Sequence, residues 1–283
     1  MKVLLSKTFL LKVIKNYKHH NPNSTIYRNM LIKHIDRTIH ILGNKNFDIL
    51  NFANIFNFKL PFESFGNVNT VNLLSDIITF AFYYNKKNVY KTVLDAGANV
   101  GLHSIIMSKL GFKVISFEPD PEHFLKLKRN IKLNNLKKIE LNNKALSNSN
   151  KKKLFVRVLN NLTGNHILNS KKKPYGPTAI IKIRAIDAAK YLEKVDFAKI
   201  DCEGHEDKIF SCIGRAKKIP DILVEIHDSK KAKKIFKICK KNNIFLYSQK
   251  NRWNIVRKYN EMPFSYKDGL LFASKISQFP FTN

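Results

Sequence analysis

The segment VLDAGANVGLHS, residues 93–104, concentrates residue types that could hold a small charged ligand. An apolar stretch ends at Asp95, a turn carries Gly97, Asn99 and Gly101, and helix-forming residues follow at once. Glycine belongs where a side chain would block close approach of a ligand to the backbone, or where a turn demands positive φ. A helix beginning there presents unpaired N–H groups toward an anionic group. Dinucleotide-binding loops share this outline, but Gly-x-Asn-x-Gly lacks their full Gly-x-Gly-x-x-Gly spacing. An acid at the strand's end would also repel a pyrophosphate, whereas it suits an ammonium. A second acid, Glu118 in VISFEPDPEHF, lies about 20 residues beyond Gly97 at the tip of the next strand. From there it can accept hydrogen bonds from two ribose hydroxyls; the alternative is an exposed strand-end glutamate.

A second cluster follows in FAKIDCEGHEDKIF and PDILVEIHD. Asp201 ends one strand, Glu203 follows in a turn at Gly204, and Glu225, His227 and Asp228 end the next strand. Such a group could act as general base, with Asp201 or His227 accepting the proton. Alternatively, Asp201, Glu225 and His227 could bind a hard divalent cation that acidifies a hydroxyl. Purely structural roles compete: Glu203 and Glu206 could favour the start of the following helix, and Glu225 could pair with Lys199.

The elements that must position these residues alternate from Thr92 onward. Strands are expected at Thr92–Ala96, Lys113–Glu118, Ile139–Asn142, Lys153–Val158, Ala179–Arg184, Phe197–Asp201 and Ile222–His227. Helices are expected at Gly101–Leu110, Pro121–Asn134, Ala188–Leu192, Glu206–Cys212 and Lys230–Asn242, the last placing Ala232, Ile235, Phe236 and Cys239 on one face. Ile244–Tyr247, Trp253–Val256 and Leu270–Ser274 can complete the sheet. This alternation predicts an α/β fold with a mostly parallel, doubly wound sheet, binding ligands at the carboxyl ends of its strands. Before it, Ile26, Met30, Leu31, Ile35 and Ile39 recur at helical spacing, and Leu73–Tyr84 reads as a helix leading into the main domain. The division expected is an N-terminal helical extension over 1–70 and a ligand-binding domain over 71–283. The clusters Lys151–Lys153 and Lys171–Lys173 read as exposed loops.

Taken in order, these blocks resemble the FkbM family of S-adenosylmethionine-dependent methyltransferases, over roughly Leu60 to Asp228. They are VLDAGANVGLHS, VISFEPDPEHFLKLKRNIKLNN, ELNNKALSN, IKIRAIDAAKYL, FAKIDCEGHEDKIFSCIG and PDILVEIHD. The family pattern Lys-x-Asp-x-Glu-Gly-x-Glu is complete as Lys199, Asp201, Glu203, Gly204 and Glu206. The resemblance implies a Rossmann-like class I methyltransferase fold and S-adenosylmethionine as cofactor. It assigns the methionine end to Asp95, Gly97, Asn99 and Gly101, the ribose to Glu118, and the neighbourhood of the adenine to Ala145. It also implies an acceptor among sugars, glycolipids or secondary metabolites, methylated on a hydroxyl. Amino-group methylases of nucleic acids carry Asn/Asp-Pro-Pro-aromatic at the strand end where this chain has Asp201-Cys202-Glu203-Gly204, a departure that favours an oxygen acceptor.

The 283 residues carry 51 Lys+Arg against 21 Asp+Glu, a formal net charge of +30. Such a field attracts nucleic acid, anionic membrane or acidic glycans, so a ribose-hydroxyl methylase of RNA is the main alternative, with a non-catalytic binding protein as a third. Lysine spread through an Asn- and Ile-rich chain is better explained by biased composition. The three cysteines, Cys202, Cys212 and Cys239, form no Cys-x-x-Cys pair, which argues against structural zinc and for a reducing compartment. Lys7, Lys12 and Lys15 interrupt the apolar N-terminus before a secretory core forms. A cytoplasmic protein is expected, with peripheral membrane contact by a basic amphipathic N-terminal helix as the variant.

Overall fold

Short apolar runs bounded by turn residues form the strands, and period-two alternation decides which face each residue serves. The computed structural model describes residues 2–22, 24–25, 50–60, 70–159, 163–171 and 176–281. The N-terminal part comprises β1 (Lys2–Leu5), α1 (Lys7–Lys15), β2 (Leu50–Phe52), β3 (Phe56–Phe58) and α2 (Thr70–Lys86). Ser6 starts α1 by accepting a hydrogen bond from the Phe9 N–H. The extension is therefore not wholly helical: β1 pairs in parallel with β2, and β2 pairs antiparallel with β3. Pairing between segments far apart in the chain leaves no trace in a local helical period. The expected helical positions Ile26, Met30, Leu31, Ile35 and Ile39 lie outside the described residues.

The main domain runs β4 (Thr92–Ala96), α3 (Leu102–Lys109), β5 (Lys113–Phe117), α4 (Pro121–Leu133), β6 (Ile139–Asn142), β7 (Ala145–Ser147), β8 (Lys152–Val158), β9 (His166–Ile167) and β10 (Thr178–Asp187). It continues α5 (Ala189–Leu192), β11 (Phe197–Ile200), α6 (Glu206–Phe210), β12 (Asp221–Glu225), α7 (Ser229–Lys241), β13 (Phe245–Ser248), β14 (Asn254–Ile255) and β15 (Leu270–Ser274). Eight strands form the large sheet in the order β14-β13-β15-β12-β11-β4-β5-β6. Its part β12-β11-β4-β5-β6 is parallel, and β15 enters antiparallel between β12 and β13. The chain winds outward from β4 to β6 and then returns to β11 on the other side of β4. That reversal opens a crevice at the carboxyl ends of β4 and β11, where ligands of such sheets bind.

Both faces of the sheet are covered. Val93, Val114, Phe197 and Leu223 pack in one core with α2, α3 and α4. Leu94, Ile115, Ala198 and Val224 pack in a second with α5, α6 and α7. This is the Rossmann-like, doubly wound α/β architecture expected. The strands expected at Lys153–Val158 and Ala179–Arg184 form, but outside that sheet. They belong to β8 and β10, a long antiparallel pair in a separate four-stranded sheet ordered β7-β10-β8-β9. β8 begins one residue earlier than expected, at Lys152 of the lysine cluster read as loop. Lys172 and Lys173 of the other lysine cluster lie outside the described residues. Among the described residues no helix is long and apolar enough to cross a membrane.

Candidate active site

Alternation along β4 turns Asp95 to the same side as Val93, and the register sets Lys199 of β11 opposite it. Both side chains are buried beneath α2 and α3. Ser104 Oγ donates to Asp95 Oδ2 at 2.6 Å and lies 2.8 Å from Ser116 Oγ. Lys199 Nζ stands 3.7 Å from Asp95 Oδ1 and 3.6 Å from Asp201 Oδ2. The Asp95 Oδ1 atom is buried and receives no hydrogen bond from the described residues, an uncommon state for a carboxylate oxygen. Lys199 thus pairs with Asp95 and Asp201, not with Glu225 as the sequence suggested. Burial alone would lower the Lys199 pKa, but Asp201 and Asp95 outweigh it and hold the ammonium charged.

Beyond β4 the chain turns through left-handed conformations at Gly97 (φ +80°), Asn99 (φ +50°) and Gly101 (φ +100°) before α3 begins. The two glycines answer to different neighbours. A Cβ on Gly97 would sit 1.9 Å from the backbone carbonyl oxygen of Asp201, so only glycine lets the β4 loop pass against the β11 loop. A Cβ on Gly101 would meet Leu127 Cδ1 of α4 at 2.5 Å. Both glycines therefore answer first to packing of the chain on itself.

The Asn99 N–H donates to Glu118 Oε2 and the Asp120 N–H to Glu118 Oε1, each at 2.8 Å. These bonds tie the glycine loop to the tip of β5. Burial raises the Glu118 pKa to about 8, against the lowering effect of those two N–H groups. Each carboxylate oxygen retains one further lone pair. Asp120 in turn is gripped by Arg157 of β8, through Nε at 2.8 Å and Nη2 at 2.8 Å. Ala145, buried, opens β7. The second sheet is thereby clamped to the Glu118 turn by an arginine that the sequence reading passed over, since nothing in a strand of mixed residues marks it.

The second cluster is assembled by the turn after β11, with Glu203 (φ +48°) and Gly204 (φ +95°) in left-handed conformations. Glu206 Oε1 accepts from the N–H groups of Gly204 at 2.8 Å and Cys202 at 3.2 Å, which fixes that turn. It also accepts from His227 Nδ1 at 3.1 Å. His227 Nε2 faces Glu225 Oε1 at 3.4 Å, Glu203 Oε2 at 3.5 Å and Asp201 Oδ1 at 3.9 Å. Burial opposes a charge on His227, but Glu206 and the surrounding carboxylates prevail and raise its pKa well above the usual value. A raised pKa favours a positioning or proton-holding role for His227 over that of general base. Burial would raise the Asp201 pKa, yet Lys199 and His227 lower it. For Glu225, burial and then Asp201 raise it. Ligand atoms of Asp201, Glu225 and His227 lie within 4.8 Å of one another, the trio named for a cation. Coordination there would require His227 to lose its proton first.

Two more groups close the site. Lys171 Nζ binds Glu203 Oε2 at 2.6 Å, and Lys231 Nζ binds the Ser170 carbonyl, laying the Ser170–Lys171 segment over the Glu203–Gly204 turn. On the opposite side Tyr83 Oη lies 3.1 Å from His103 Nδ1, and His103 Nε2 lies 3.1 Å from Asp76 Oδ1. Burial, then Asp95, keeps the Tyr83 hydroxyl well above its usual pKa, as a neutral donor. Asp76 and Tyr83 come from α2; His103, inside VGLHS, was the sequence signal that went unused.

The sequence pattern of the methyltransferase FkbM domain matches residues 95–262, more than half of the chain. No curated protein matches the sequence. Among solved structures, an O-methyltransferase from Bacillus cereus in complex with SAH is similar at 11% identity, over 85% of this chain and 89% of that one, with a TM-score of 0.40. A precorrin-6y C5,15-methyltransferase from Geobacter metallireducens is similar at 13% identity over 69% of this chain and 88% of that one, TM-score 0.39. An rRNA methylase from Streptococcus thermophilus is similar at 13% identity over 72% and 97%, TM-score 0.39. With the family pattern running from the glycine loop through both acidic strand ends, the chain belongs to the FkbM methyltransferase family.

Proposed function

We propose that this methyltransferase transfers the methyl group of S-adenosylmethionine to a hydroxyl of a sugar, glycolipid or secondary metabolite. The observation that carries the acceptor is the crowd of carboxylates at the tips of β11 and β12: Asp201, Glu203 and Glu225 around the His227 imidazole. Carboxylates accept hydrogen bonds from hydroxyls and repel phosphates. A polyol is favoured at this mouth and a nucleic-acid backbone is not, whatever the net charge of the rest of the chain.

The residues present fit the donor. Asp95 Oδ1 is a buried acceptor without a hydrogen-bond donor, suited to an ammonium. Glu118 keeps acceptor capacity for ribose hydroxyls beyond the two N–H groups it holds. Asp95, Gly97, Asn99 and Gly101 would hold the amino-acid end, Glu118 the pentose, and Ala145 would lie beside the base. When bound, the cofactor supplies an activated methyl group; the chain's task is to align the acceptor and receive its proton. Asp201 is the group for that proton, its side chain 36% exposed, whereas His227, at 6%, steadies the carboxylates around it. A divalent cation on Asp201, Glu225 and His227 is the second form of the same site, favoured by their spacing.

The test is incorporation of label from methyl-labelled S-adenosylmethionine into a cell extract, followed by mass spectrometry of the products. Label on a hydroxyl oxygen of a sugar or small metabolite is the expected result. Label confined to RNA would overturn the acceptor assignment, and no transfer with or without Mg2+ would overturn the reading as a whole.

A further inference from the structure

The amino ends of the parallel strands, opposite the acidic crevice, surround a cavity of about 780 Å3. Lys87, Lys91, Lys113, Lys137 and Lys138 are five of its eleven lining residues, with Glu140 the single carboxylate among them. Basic residues make up 51 of 283 in the chain, so the cavity lining is richer in them than the chain as a whole.

The sheet itself builds the cluster. The Lys113 N–H donates to the Lys91 carbonyl at 2.9 Å, and the Val114 N–H donates to the Lys138 carbonyl at 2.9 Å. Lys113 therefore stands beside Lys138 across the starts of β5 and β6, strands spaced roughly 4.8 Å apart, while Lys91 precedes Thr92, the residue opposite Lys113, at the start of β4. Like charges set side by side across strands repel one another. Among the described residues, no carboxylate is ion-paired with any of the five lysines; Lys87 instead lies over the Tyr84 ring. Elsewhere in the chain lysines do find carboxylates: Lys171 with Glu203, Lys218 with Asp196, Lys234 with Asp207. The site is an open depression whose volume can seat a discrete small molecule, roughly 300–1,000 Å3.

We propose that this cavity binds a small anion carrying two or more phosphate groups, at a site separate from the methyl-transfer crevice. Five ammonium groups against one carboxylate match the charge of a di- or triphosphate better than that of a single phosphate. Free polyphosphate and a nucleoside triphosphate share this chemistry, and the experiment separates them.

The probe is inorganic tripolyphosphate, titrated calorimetrically into the full chain at about 0.15 M salt, where surface charge is already well screened. Saturable binding near one site per chain is expected, weakened about tenfold or more in K91Q/K113Q/K138Q and less than about twofold in K217Q/K233Q/K240Q, which removes equal charge elsewhere. Tighter binding of ATP than of tripolyphosphate assigns a nucleotide; equal binding assigns the phosphates alone. Equal losses in the two triple variants, or no saturation, would reduce the cluster to a compositional accident. An RNA oligonucleotide that binds through the same three lysines more tightly than tripolyphosphate would also overturn the proposal. All six lysines are exposed, so circular dichroism should report both variants folded, and methyl transfer is read separately.

Discussion

The two ends of one sheet carry opposite charge and treat it in opposite ways. At the carboxyl ends, Asp95, Asp201, Glu206 and Glu225 are set against Lys199 and His227, and the charged groups interlock within about 4 Å. At the amino ends, Lys113 and Lys138 stand side by side with Lys91 one position off their register, and none of the three has an ion-pair partner among the described residues. The contrast shows that net charge says little about a working site: a chain of +30 keeps its reaction crevice acidic. Buried charges persist when paired, and exposed ones persist in water, so each end obeys its own solvent.

Glycine substitutions should break this comparison most visibly. Gly97→Ala drives a Cβ to 1.9 Å from the Asp201 carbonyl at positive φ, while at Gly111 of the lysine end a Cβ meets nothing within 4 Å. Urea denaturation should find Gly97→Ala destabilised by roughly 4 kcal/mol or more and Gly111→Ala by only about 1 kcal/mol, the backbone cost alone. Similar losses at both would mean that the crevice loops have slack. Next in size, Asp201→Asn should lower methyl transfer about 10²–10⁴-fold with cofactor affinity nearly kept, while Lys113→Gln leaves the rate unchanged. A rate that follows Lys113 would erase the division of labour between the ends.

The third effect is read in pH. Glu118 carries a folded-state pKa raised to about 8, so the unfolded chain loses its proton near pH 4.5 while the folded chain keeps it. Stability attributable to this group must then fall as pH rises from about 4.5 to about 8, by a few kcal/mol at most. Glu118→Gln, though less stable overall, should lose that slope; an unchanged slope in thermal melts would show that Glu118 ionises freely. Smallest, Lys113→Glu should relieve repulsion against Lys138 and stabilise the fold by roughly 0.2–1 kcal/mol, and a loss instead would show that the lysines are not in conflict.

Much of the site is legible in the sequence because its residues fall at fixed offsets from strand ends. Asp95 lies within β4, Glu118 and Asp201 directly follow the ends of β5 and β11, and His227 lies two residues beyond β12, all strands that local apolar runs reveal. The structure gathers Asp201, Glu225 and His227 as their positions suggested. What local pattern hides is pairing across distance. β8 and β10 read as ordinary strands, yet leave the main sheet to pair with β7 and β9, which the sequence did not reveal, since an alternating strand does not announce its partners. Likewise α2, outside the family match, supplies Asp76 and Tyr83 to His103, and no spacing rule links residues on separate helices. Neither the charge state of His227 nor the orphaned oxygen of Asp95 can be read without neighbours in three dimensions.

The abutment of Gly97 on Asp201 has a mechanical corollary. With no room for a side chain between them, and with the Asp201 N–H bonded to the Ala96 carbonyl at 3.0 Å, the lobe that would seat the donor and the tip that would receive the acceptor's proton are held in step. A nudge delivered to either is felt by its neighbour without any intermediary, so tuning one half of the pocket by substitution will retune the other.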